Sequence, residues 1–207
     1  TLRIGLLHRD IDSALLSAML VGSLRATSRL GVQLVLEIYD FSDPVGGIER
    51  MIRSGIDGLL LPPPVCEIAS AAGLPALGDE GVVADMKLVW EAPPTFEAGL
   101  ALAERVLTTQ RDFTAVIAGN DDMAAAFVNV ALRNKISVPD DLSITGFDDT
   151  PIAVKIWPEL TTIRQPLALI AERAAERLVA TLRGEPPETQ PLTIYVDYKM
   201  IERQSTG

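Results

Sequence analysis

Short apolar runs alternate with amphipathic helical segments along most of the chain. The apolar runs predict buried strands at 3–8, 32–39, 56–61, 114–118, 142–147 and 160–164, and an alternating strand at 193–201. Helical spacing predicts helices at 12–30, 95–107 and 121–134, a short helix that begins at Pro44, and a longer one from Pro166 to Gly184. This alternation predicts an α/β fold with doubly wound parallel sheets.

Two of the predicted helices carry an apolar stripe that indicates a buried face. In the first helix, the stripe and its flanks consist of Leu15, Leu16, Ala18, Leu20, Gly22 and Leu24. In the helix after Pro166, the stripe consists of Ile170, Ala174, Leu178 and Leu182. Gly31 suits a C-terminal helix cap and Thr95 an N-terminal cap. Between these regions the pattern is weaker, and composition alone predicts a helix at 68–72 and a strand at 82–90.

Polar side chains follow directly after three of the predicted strands. Residues 9–13 (RDIDS), 119–122 (GNDD) and 146–150 (GFDDT) supply carboxylates, amides and hydroxyls at these positions. In an open parallel α/β sheet, ligands bind beyond the carboxyl ends of the strands. Such groups suit the hydroxyls of a sugar or similar polyol, because they offer hydrogen-bond donors and acceptors side by side.

Helix capping is the alternative role for some of these residues. Asn120 and Asp121 precede a predicted helix, where an amide or a carboxylate stabilises the first turn. Capping and ligand contact therefore stay equally open for these two residues. For Asp148 the pattern favours ligand contact, because no strong helical pattern follows it.

Other kinds of site find little support in the sequence. His8 is the only histidine, and a histidine at the end of a strand is more often structural than catalytic. Cys66 is the only cysteine, so an internal disulfide is impossible, which fits a reducing cytoplasm. The sequence contains neither a Cys/His metal cluster nor a glycine-rich phosphate loop, so we predict no metal and no cofactor. Trp90 and Trp157 could stack on a ligand, although packing is the commoner role.

The chain is acidic, with 18 Lys and Arg residues against 28 Asp and Glu residues and a formal net charge of -10. A nucleic-acid-binding surface is expected to be basic, because it replaces counterions along the phosphates. We therefore expect this chain not to bind DNA by itself. We also expect no membrane span, because no apolar run is long enough, and no signal peptide, because Thr1 leads straight into a strand.

The segment 115–166 resembles the C-terminal lobe of transcription repressors of the LacI/GalR type. Its matching motifs, in order, are Asn120-Asp121 followed by Met123-Ala124, then 138–143 (VPDDLS), 146–149 (GFDD), 160–163 (LTTI) and Gln165-Pro166. A series of motifs this long and in this order is specific. The segments RIGLLHRD and GIDGLLLPPP are similar to the N-terminal lobe of the family, with less specific motifs.

The resemblance implies a two-lobe fold of the periplasmic-binding-protein type I, with an effector in the cleft between the lobes. It implies part of the N-terminal lobe over 1–67 and most of the C-terminal lobe over 68–165. Residues 166–207 would cross back and supply a helix and a terminal strand shared between the lobes. Effector binding in this family shifts the lobes and changes the operator affinity of a separate helix-turn-helix head, which is a population shift.

The resemblance also assigns effector-binding roles by position. Asp148 matches the aspartate that holds effector hydroxyls in sugar-responsive members, and Asn120 matches an asparagine of the same cleft. Ser13 and Leu15 fall on the loop and helix start that line the N-terminal side. Pro94 falls where many members carry a stacking aromatic residue.

That departure from the family pattern leaves Phe96 or Trp90 as substitutes for the stacking residue. The resemblance further implies that the chain forms a homodimer, since two operator half-sites pair with a two-fold symmetric protein. The residues that fall near the family's dimer surface are Ala125, Ile156 and Trp157.

Two parts of the family's sequence have no match here. The DNA-binding head and hinge, which precede the first strand in the family, would lie before Thr1. Roughly 60 residues, or two βαβ units, have no counterpart between Glu67 and Ala71, among them an arginine that contacts the effector in the family. Either these residues are disordered and the residue numbers run on across them, or they are deleted from the protein. We favour the first explanation and predict a chain break near Glu67 to Ala71, with an incomplete N-terminal lobe.

Two functions fit these expectations. The first is a cytoplasmic repressor core that binds a small sugar or similar polyol and reaches operator DNA only through a head domain outside this chain. The alternative is a solute-binding protein of an ABC-type sugar transporter, which shares the fold. The LTTIRQP tract after GFDD favours the repressor. An enzyme is the least favoured class, because the chain has a single histidine and no cofactor loop, although fold alone does not exclude one.

Overall fold

A computed structural model of the protein describes residues 1–8, 14–39, 43–62, 86–109, 112–185 and 196–207. The chain divides into two compact units. Unit 1 comprises Thr1–Ala84 and Pro166–Val196, and unit 2 comprises Asp85–Gln165 and Asp197–Gly207. The predicted helix at 68–72 and the predicted chain break near Glu67 to Ala71 lie outside the described residues.

Unit 1 is built on a parallel three-stranded sheet. Its strands are β1 (Arg3–His8), β2 (Gln33–Ile38) and β3 (Gly58–Leu60), in the order β2-β1-β3. The helices α1 (Ala14–Leu30) and α2 (Pro44–Arg53) follow β1 and β2 in the chain. The central strand β1 is almost completely buried, as its continuous apolar run predicts. The parallel pairing predicted from strand–helix alternation is therefore confirmed in this unit.

A second long helix, α5 (Leu167–Leu182), packs against α1 through small side chains. Gly22 lies so close to the backbone of Ala168 that an added Cβ would overlap the carbonyl oxygen of that residue. Small residues thus allow the two helix backbones to approach closely. Besides Gly22, the buried residues of the two helices are Leu16, Ser23, Ala26, Thr27, Ala171, Ala175 and Val179, most of which are small.

The apolar stripes predicted for these two helices coincide only partly with the buried faces, since Leu16 and Gly22 of α1 are buried but other members are not. Leu24 of the predicted stripe in α1 is 52% exposed, and Ala174 of the predicted stripe in α5 is exposed as well. A periodic apolar pattern is recognised mainly by its large side chains. The contact between α1 and α5 depends instead on small residues, which allow the two backbones to approach closely. The helices themselves are confirmed, and Gly31 ends α1 with a φ of 67°.

Unit 2 contains a parallel and an antiparallel strand pair. β4 (Ala115–Ile117) and β5 (Ser143–Thr145) are parallel, and α3 (Phe96–Leu107) packs on α4 (Asp121–Arg133). β6 (Thr162–Arg164) and β7 (Lys199–Ile201) are antiparallel, which the alternation did not predict. The reason is that β6 leads the chain out of unit 2 and β7 brings it back, so the two strands run in opposite directions.

Several element boundaries differ from the sequence predictions. Residues 86–88 form a 3₁₀ turn instead of a strand, and Trp90 packs its ring on Phe113, with 5.6 Å between the ring centroids. Only 199–201 of the predicted last strand are a described strand, and Pro166 occupies the N-cap position of α5 instead of its first turn. Thr95 caps α3 as predicted, accepting a hydrogen bond from the backbone N of Ala98 at 3.2 Å. No helix among the described residues is long and apolar enough to cross a membrane.

The C-terminal residues are hydrogen-bonded to β5 and to the residues at the start of β6. Ser205, which is completely buried, donates its hydroxyl to the carbonyl of Ile144 at 2.5 Å and accepts the backbone N–H of Thr161 at 2.8 Å. The backbone N of Ile144 donates in turn to the carbonyl of Ser205 at 2.7 Å. Ser205 therefore bridges two neighbouring segments of the sheet.

A charged cluster reinforces this attachment. Arg203 Nη2 lies 2.6 Å from Asp149 Oδ1, and Arg164 Nε lies 2.5 Å from Asp149 Oδ2. Arg203 also donates to the carbonyl of Leu160 at 2.7 Å. Burial alone would raise the pKa of Asp149, but the hydrogen bonds and positive charges of Arg203 and Arg164 outweigh it and lower the pKa. Asp149 is therefore a structural anion, paired on both oxygens.

The Gly22→Ala substitution tests the close approach of α1 and α5. Alanine is the better helix former by about 1 kcal/mol, yet the overlap with Ala168 forces the helices apart. We expect the free energy of unfolding to fall by about 2 kcal/mol in urea denaturation. Ser17→Ala, at an exposed position of the same helix, is the control and should leave stability nearly unchanged. A Gly22→Ala variant as stable as wild type would contradict the packing described here.

The Asp149→Asn substitution tests the charged cluster. Because Arg203 is only 12% exposed, losing its partner leaves a largely buried charge, and we expect a loss of about 2–3 kcal/mol in unfolding free energy at pH 7. A lowered folded-state pKa means that this contribution is present above the unfolded pKa of about 4 and is lost as pH falls through the folded value. Urea denaturation as a function of pH should therefore show the two proteins converging in acid. Asp112→Asn, at an exposed aspartate, should show no such gap.

Candidate functional site

The candidate site lies at the carboxyl ends of β4 and β5. Asn120, which follows β4, caps α4, since its Oδ1 accepts the backbone N–H of Met123 at 2.8 Å. Its Nδ2 donates to the carbonyl of Pro94 at 3.0 Å, so the side chain also fixes the segment before α3. The capping role that the sequence left open is confirmed, and a ligand contact by Asn120 stays a prediction.

Asp121, the first residue of α4, is a buried residue whose hydrogen bonds connect the elements of the site. It has no exposed area, and its Oδ1 accepts the hydroxyl of Thr162 in β6 at 2.5 Å. Its Oδ2 accepts the backbone N–H of Thr150 at 2.6 Å and the hydroxyl of Thr150 at 3.1 Å. Burial raises the pKa of Asp121, while these three hydrogen bonds act in the opposite direction. The residue is a positioning group, because its acceptors are already occupied by the protein.

The loop after β5 (residues 146–150) passes directly over Asp121. A Cβ on Gly146 would collide with the carboxylate of Asp121, so a glycine is required at this point. The backbone N of Asp121 donates to the carbonyl of Phe147 at 3.0 Å, and the backbone N of Asp148 donates to the carbonyl of Ile163 at 2.8 Å. The loop is thus fixed on one side by α4 and on the other by β6.

Asp148 differs from both neighbouring aspartates in its environment. Its backbone has a φ of 101°, a conformation that non-glycine residues rarely adopt, and its side chain is half-buried. Oδ1 accepts a hydrogen bond from Gln165 Nε2 at 2.7 Å. Burial raises the pKa of Asp148, as do the charges of Asp121 and Asp122, whereas the Gln165 bond lowers it. The site therefore holds a constrained carboxylate with further acceptor capacity.

The other predicted effector residues have varied surroundings. Pro94 is exposed, and its carbonyl bonds Asn120, so it lies next to the strand-end residues. Phe96 and Trp90 are half-buried and pack against the core of unit 2. Leu15 is half-buried in α1 of unit 1, and Ser13 lies outside the described residues. The described contacts therefore bring Asn120 and Pro94 together directly. Asp148 is connected to them through α4, because the loop after β5 that carries Asp148 is hydrogen-bonded to the start of this helix.

The three residues predicted for a dimer surface are not equivalent. Ala125 is 1% exposed and belongs to the core of unit 2, so a place near a dimer surface stays a prediction for this residue. Its small side chain is used for packing α4 inside the unit. Ile156 is half-buried against the same core, whereas Trp157 is 73% exposed. Trp157 alone among the three presents a large apolar side chain to solvent.

Other chemistry is not evident in the described part of the chain. His8 is 4% exposed at the end of the central strand of unit 1, as expected for a structural histidine. No group of three or more His, Cys, Asp or Glu side chains among the described residues has metal-binding geometry. An open groove of about 540 Å³ is lined by residues at the C-terminal ends of α3 and α4, including Arg105 and Arg133. That is the opposite end of α4 from Asn120, so the groove is separate from the strand-end residues.

Sequence reasoning missed the residues that support Asp148. Thr150 and Thr162 bind Asp121, and Gln165 binds Asp148, although each was treated only as part of a motif. Arg203 was not singled out at all, because its partner Asp149 lies 54 positions away in sequence. The sequence signal for these residues was the presence of hydrogen-bonding side chains in the predicted strand β6 and the residues next to it, where a buried strand would be apolar. Such a signal does not identify the partner.

A family model described as the periplasmic binding protein-like domain matches residues 75–206. Among curated proteins, the HTH-type transcriptional regulator GalR of Escherichia coli is 37% identical over 111 residues, covering 54% of this chain and 32% of GalR. The HTH-type transcriptional regulator CelR of Thermobifida fusca is 29% identical over 187 residues, covering 89% of this chain and 49% of CelR. The chain therefore spans less than half the length of these relatives.

Solved structures agree with this grouping at the level of the fold. A complex of transcriptional regulator CelR with cellobiose superposes with a TM-score of 0.79 at 21% identity, covering 98% of this chain and 84% of that chain. The parallel strand–helix order, the strand-end aspartates and the family match over 75–206 point the same way. The chain belongs to the family of periplasmic binding protein-like domains, and the curated proteins that it resembles here are transcription regulators.

Proposed function

We propose that this chain is the effector-binding core of a cytoplasmic transcription repressor and that its effector is a small sugar or similar polyol. The observation that carries the proposal is the constrained carboxylate of Asp148 at the carboxyl end of β5, beside the Asn120 segment. An ionised carboxylate is an acceptor only, so it suits a ligand that presents hydroxyl donors. In an open parallel sheet, the strand ends are where such ligands bind.

The relatives favour a regulator over the solute-binding alternative. Both GalR and CelR are described as transcriptional regulators, and a CelR structure contains cellobiose. A disaccharide of this kind belongs to the ligand class that the strand-end residues suit. We do not propose catalysis, since the relatives are regulators and Asp121 and Asp149 are occupied by hydrogen bonds or ion pairs. The coding sequence before Thr1 tests the choice, because a repressor requires a helix-turn-helix there and a transporter protein requires an export signal.

Individual residues take the following roles in this proposal. Asp148 accepts hydrogen bonds from effector hydroxyls. Asn120 contacts the effector with the same amide group that orders the segment before α3. Leu15 and Phe96 supply apolar contact, and Pro94 lies beside Asn120 without an aromatic ring for stacking. Ser13 keeps the effector-contacting role that its position implies. With a net charge of -10, the chain reaches operator DNA through a separate head domain.

Ligand binding gives the direct test of the proposal. The folded chain is screened by thermal shift against sugars including cellobiose, sugar phosphates and nucleosides, because a ligand that binds the native state raises the melting temperature. We expect a sugar to stabilise the wild type and Asp148→Asn to weaken its affinity at least about 10-fold, since a hydrogen bond to a charged group is lost. Isothermal titration calorimetry measures the affinity.

The control is Asp112→Asn, which removes an exposed carboxylate of the same unit and should bind like the wild type. Equal affinity in Asp148→Asn and wild type would remove Asp148 from the binding site. A wild type stabilised by nucleosides alone, or by none of the compounds, would refute the sugar class.

Self-association gives a second test, because the proposed repressor is a homodimer. Trp157 is 73% exposed, and a large exposed aromatic side chain is typical of an interface anchor. We expect Trp157→Ser to weaken dimerisation at least about 10-fold, measured by sedimentation velocity over a concentration series. Tyr198→Ser is the control, since Tyr198 is 72% exposed in the same unit. If both variants associate like the wild type, Trp157 is not at the dimer surface.

A further inference from the structure

Gln165 makes the only hydrogen bond to the Asp148 side chain among the described residues. Its Nε2 donates to Asp148 Oδ1 at 2.7 Å, and Gln165 itself is half-buried. Oδ2 of Asp148 has no donor within the described part of the chain. The two oxygens of this carboxylate are therefore distinguished by the protein before any ligand binds.

The backbone supports this pairing from the same segment. Asp148 N donates to the carbonyl of Ile163 at 2.8 Å, and Gln165 follows Ile163 by two positions. One short stretch of chain, from Ile163 to Gln165, therefore holds both the main chain and the side chain of Asp148. Gln165 is also the last residue of unit 2, with Pro166 beginning the return to unit 1.

We propose that Gln165 is a positioning residue for effector recognition, which orients Asp148 by occupying Oδ1 and leaves Oδ2 to accept from a ligand hydroxyl. This proposal rests on the proposed function, since it deepens the role assigned there to Asp148. A carboxylate held through one oxygen keeps a fixed direction for the other. The ligand then has to place a donor at that position, which selects among hydroxyl arrangements of similar sugars.

The charges around Asp148 explain why a neutral amide is suited to this role. Burial raises the pKa of Asp148, and Asp121 and Asp122 on α4 raise it further. Arg164 and Arg203, the two cations of the charged cluster, are paired with Asp149. The amide of Gln165 donates without titrating, so it favours the ionised acceptor across the neutral pH range.

The first measurement follows Asp148 in the free chain by carboxyl carbon NMR as a function of pH. Gln165→Met has a side chain of similar length and no donor, and we expect the pKa of Asp148 to rise above its wild-type value in this variant. Gln204→Met is the matched control, because it removes a glutamine of the same unit that bonds the backbone N of Glu159 at 3.0 Å. The control should leave the Asp148 titration unchanged.

The second measurement is the affinity for cellobiose from pH 5 to pH 8 by calorimetry. We expect Gln165→Met to lower the affinity at pH 7 about 10-fold and to move the pH dependence toward higher pH. Gln165→Glu keeps the side-chain shape and donates only when protonated, so its affinity should fall as pH rises. This isosteric variant also keeps the test valid if Gln165→Met fails to fold.

The outcomes separate this proposal from the one on which it rests. An Asp148 titration that is the same in Gln165→Met or Gln165→Glu as in wild type would overturn the positioning role. A shifted titration with unchanged cellobiose affinity would overturn its part in recognition. A wild type that does not bind cellobiose, combined with a shifted titration, would refute cellobiose as effector and support the control of Asp148 by Gln165.

Discussion

A completely buried carboxylate, that of Asp121, organises the functional end of unit 2. Removing a carboxylate from water is costly unless the protein supplies hydrogen bonds in place of the solvent. Thr162 and Thr150 supply three such bonds, one from β6 and two from the loop after β5. Because all three end on one residue at the start of α4, the helix, the loop and the strand are held in a single arrangement. A network of this kind defines geometry even where its net contribution to stability is small.

The loop above Asp121 takes a path that local preferences alone would not choose. Asp148 and Asp149 have positive φ values of 101° and 53°, which cost energy for residues with a side chain. The cost is offset by contacts formed at long range, including the bond from Asp148 N to Ile163 and the pairing of Asp149 with Arg203. Gly146 permits the close passage over the buried carboxylate. The direction in which Asp148 presents its carboxylate is therefore a property of the whole unit.

This dependence explains which features could be predicted from the sequence. The described strands and helices follow from local periodicity, and Asn120 as a helix cap follows from residue type and position. The buried faces of α1 and α5 could be predicted only in part, because their contact also uses small residues such as Ala171 and Ala175, which the apolar period does not single out. The roles of Gln165 and Arg203 depend on partners distant in sequence, for which one chain carries no pattern. Asp148 was found because it follows a predicted strand with no strong helical pattern after it, and a motif of the family marks the same residue.

Three aspartates, one at the start of α4 and two in the loop after β5, thus serve different purposes that their neighbours determine. Asp121 is buried and fully hydrogen-bonded, and Asp149 is paired with Arg203 and Arg164, so both are satisfied by the protein. Among the described residues, only Gln165 donates a hydrogen bond to the Asp148 side chain, and burial raises the pKa of Asp148. Acceptor capacity that the fold leaves unused is available to a ligand, whereas saturated carboxylates are not. The distinction between structural and recognition carboxylates here is one of hydrogen-bond saturation, and residue type alone cannot express it.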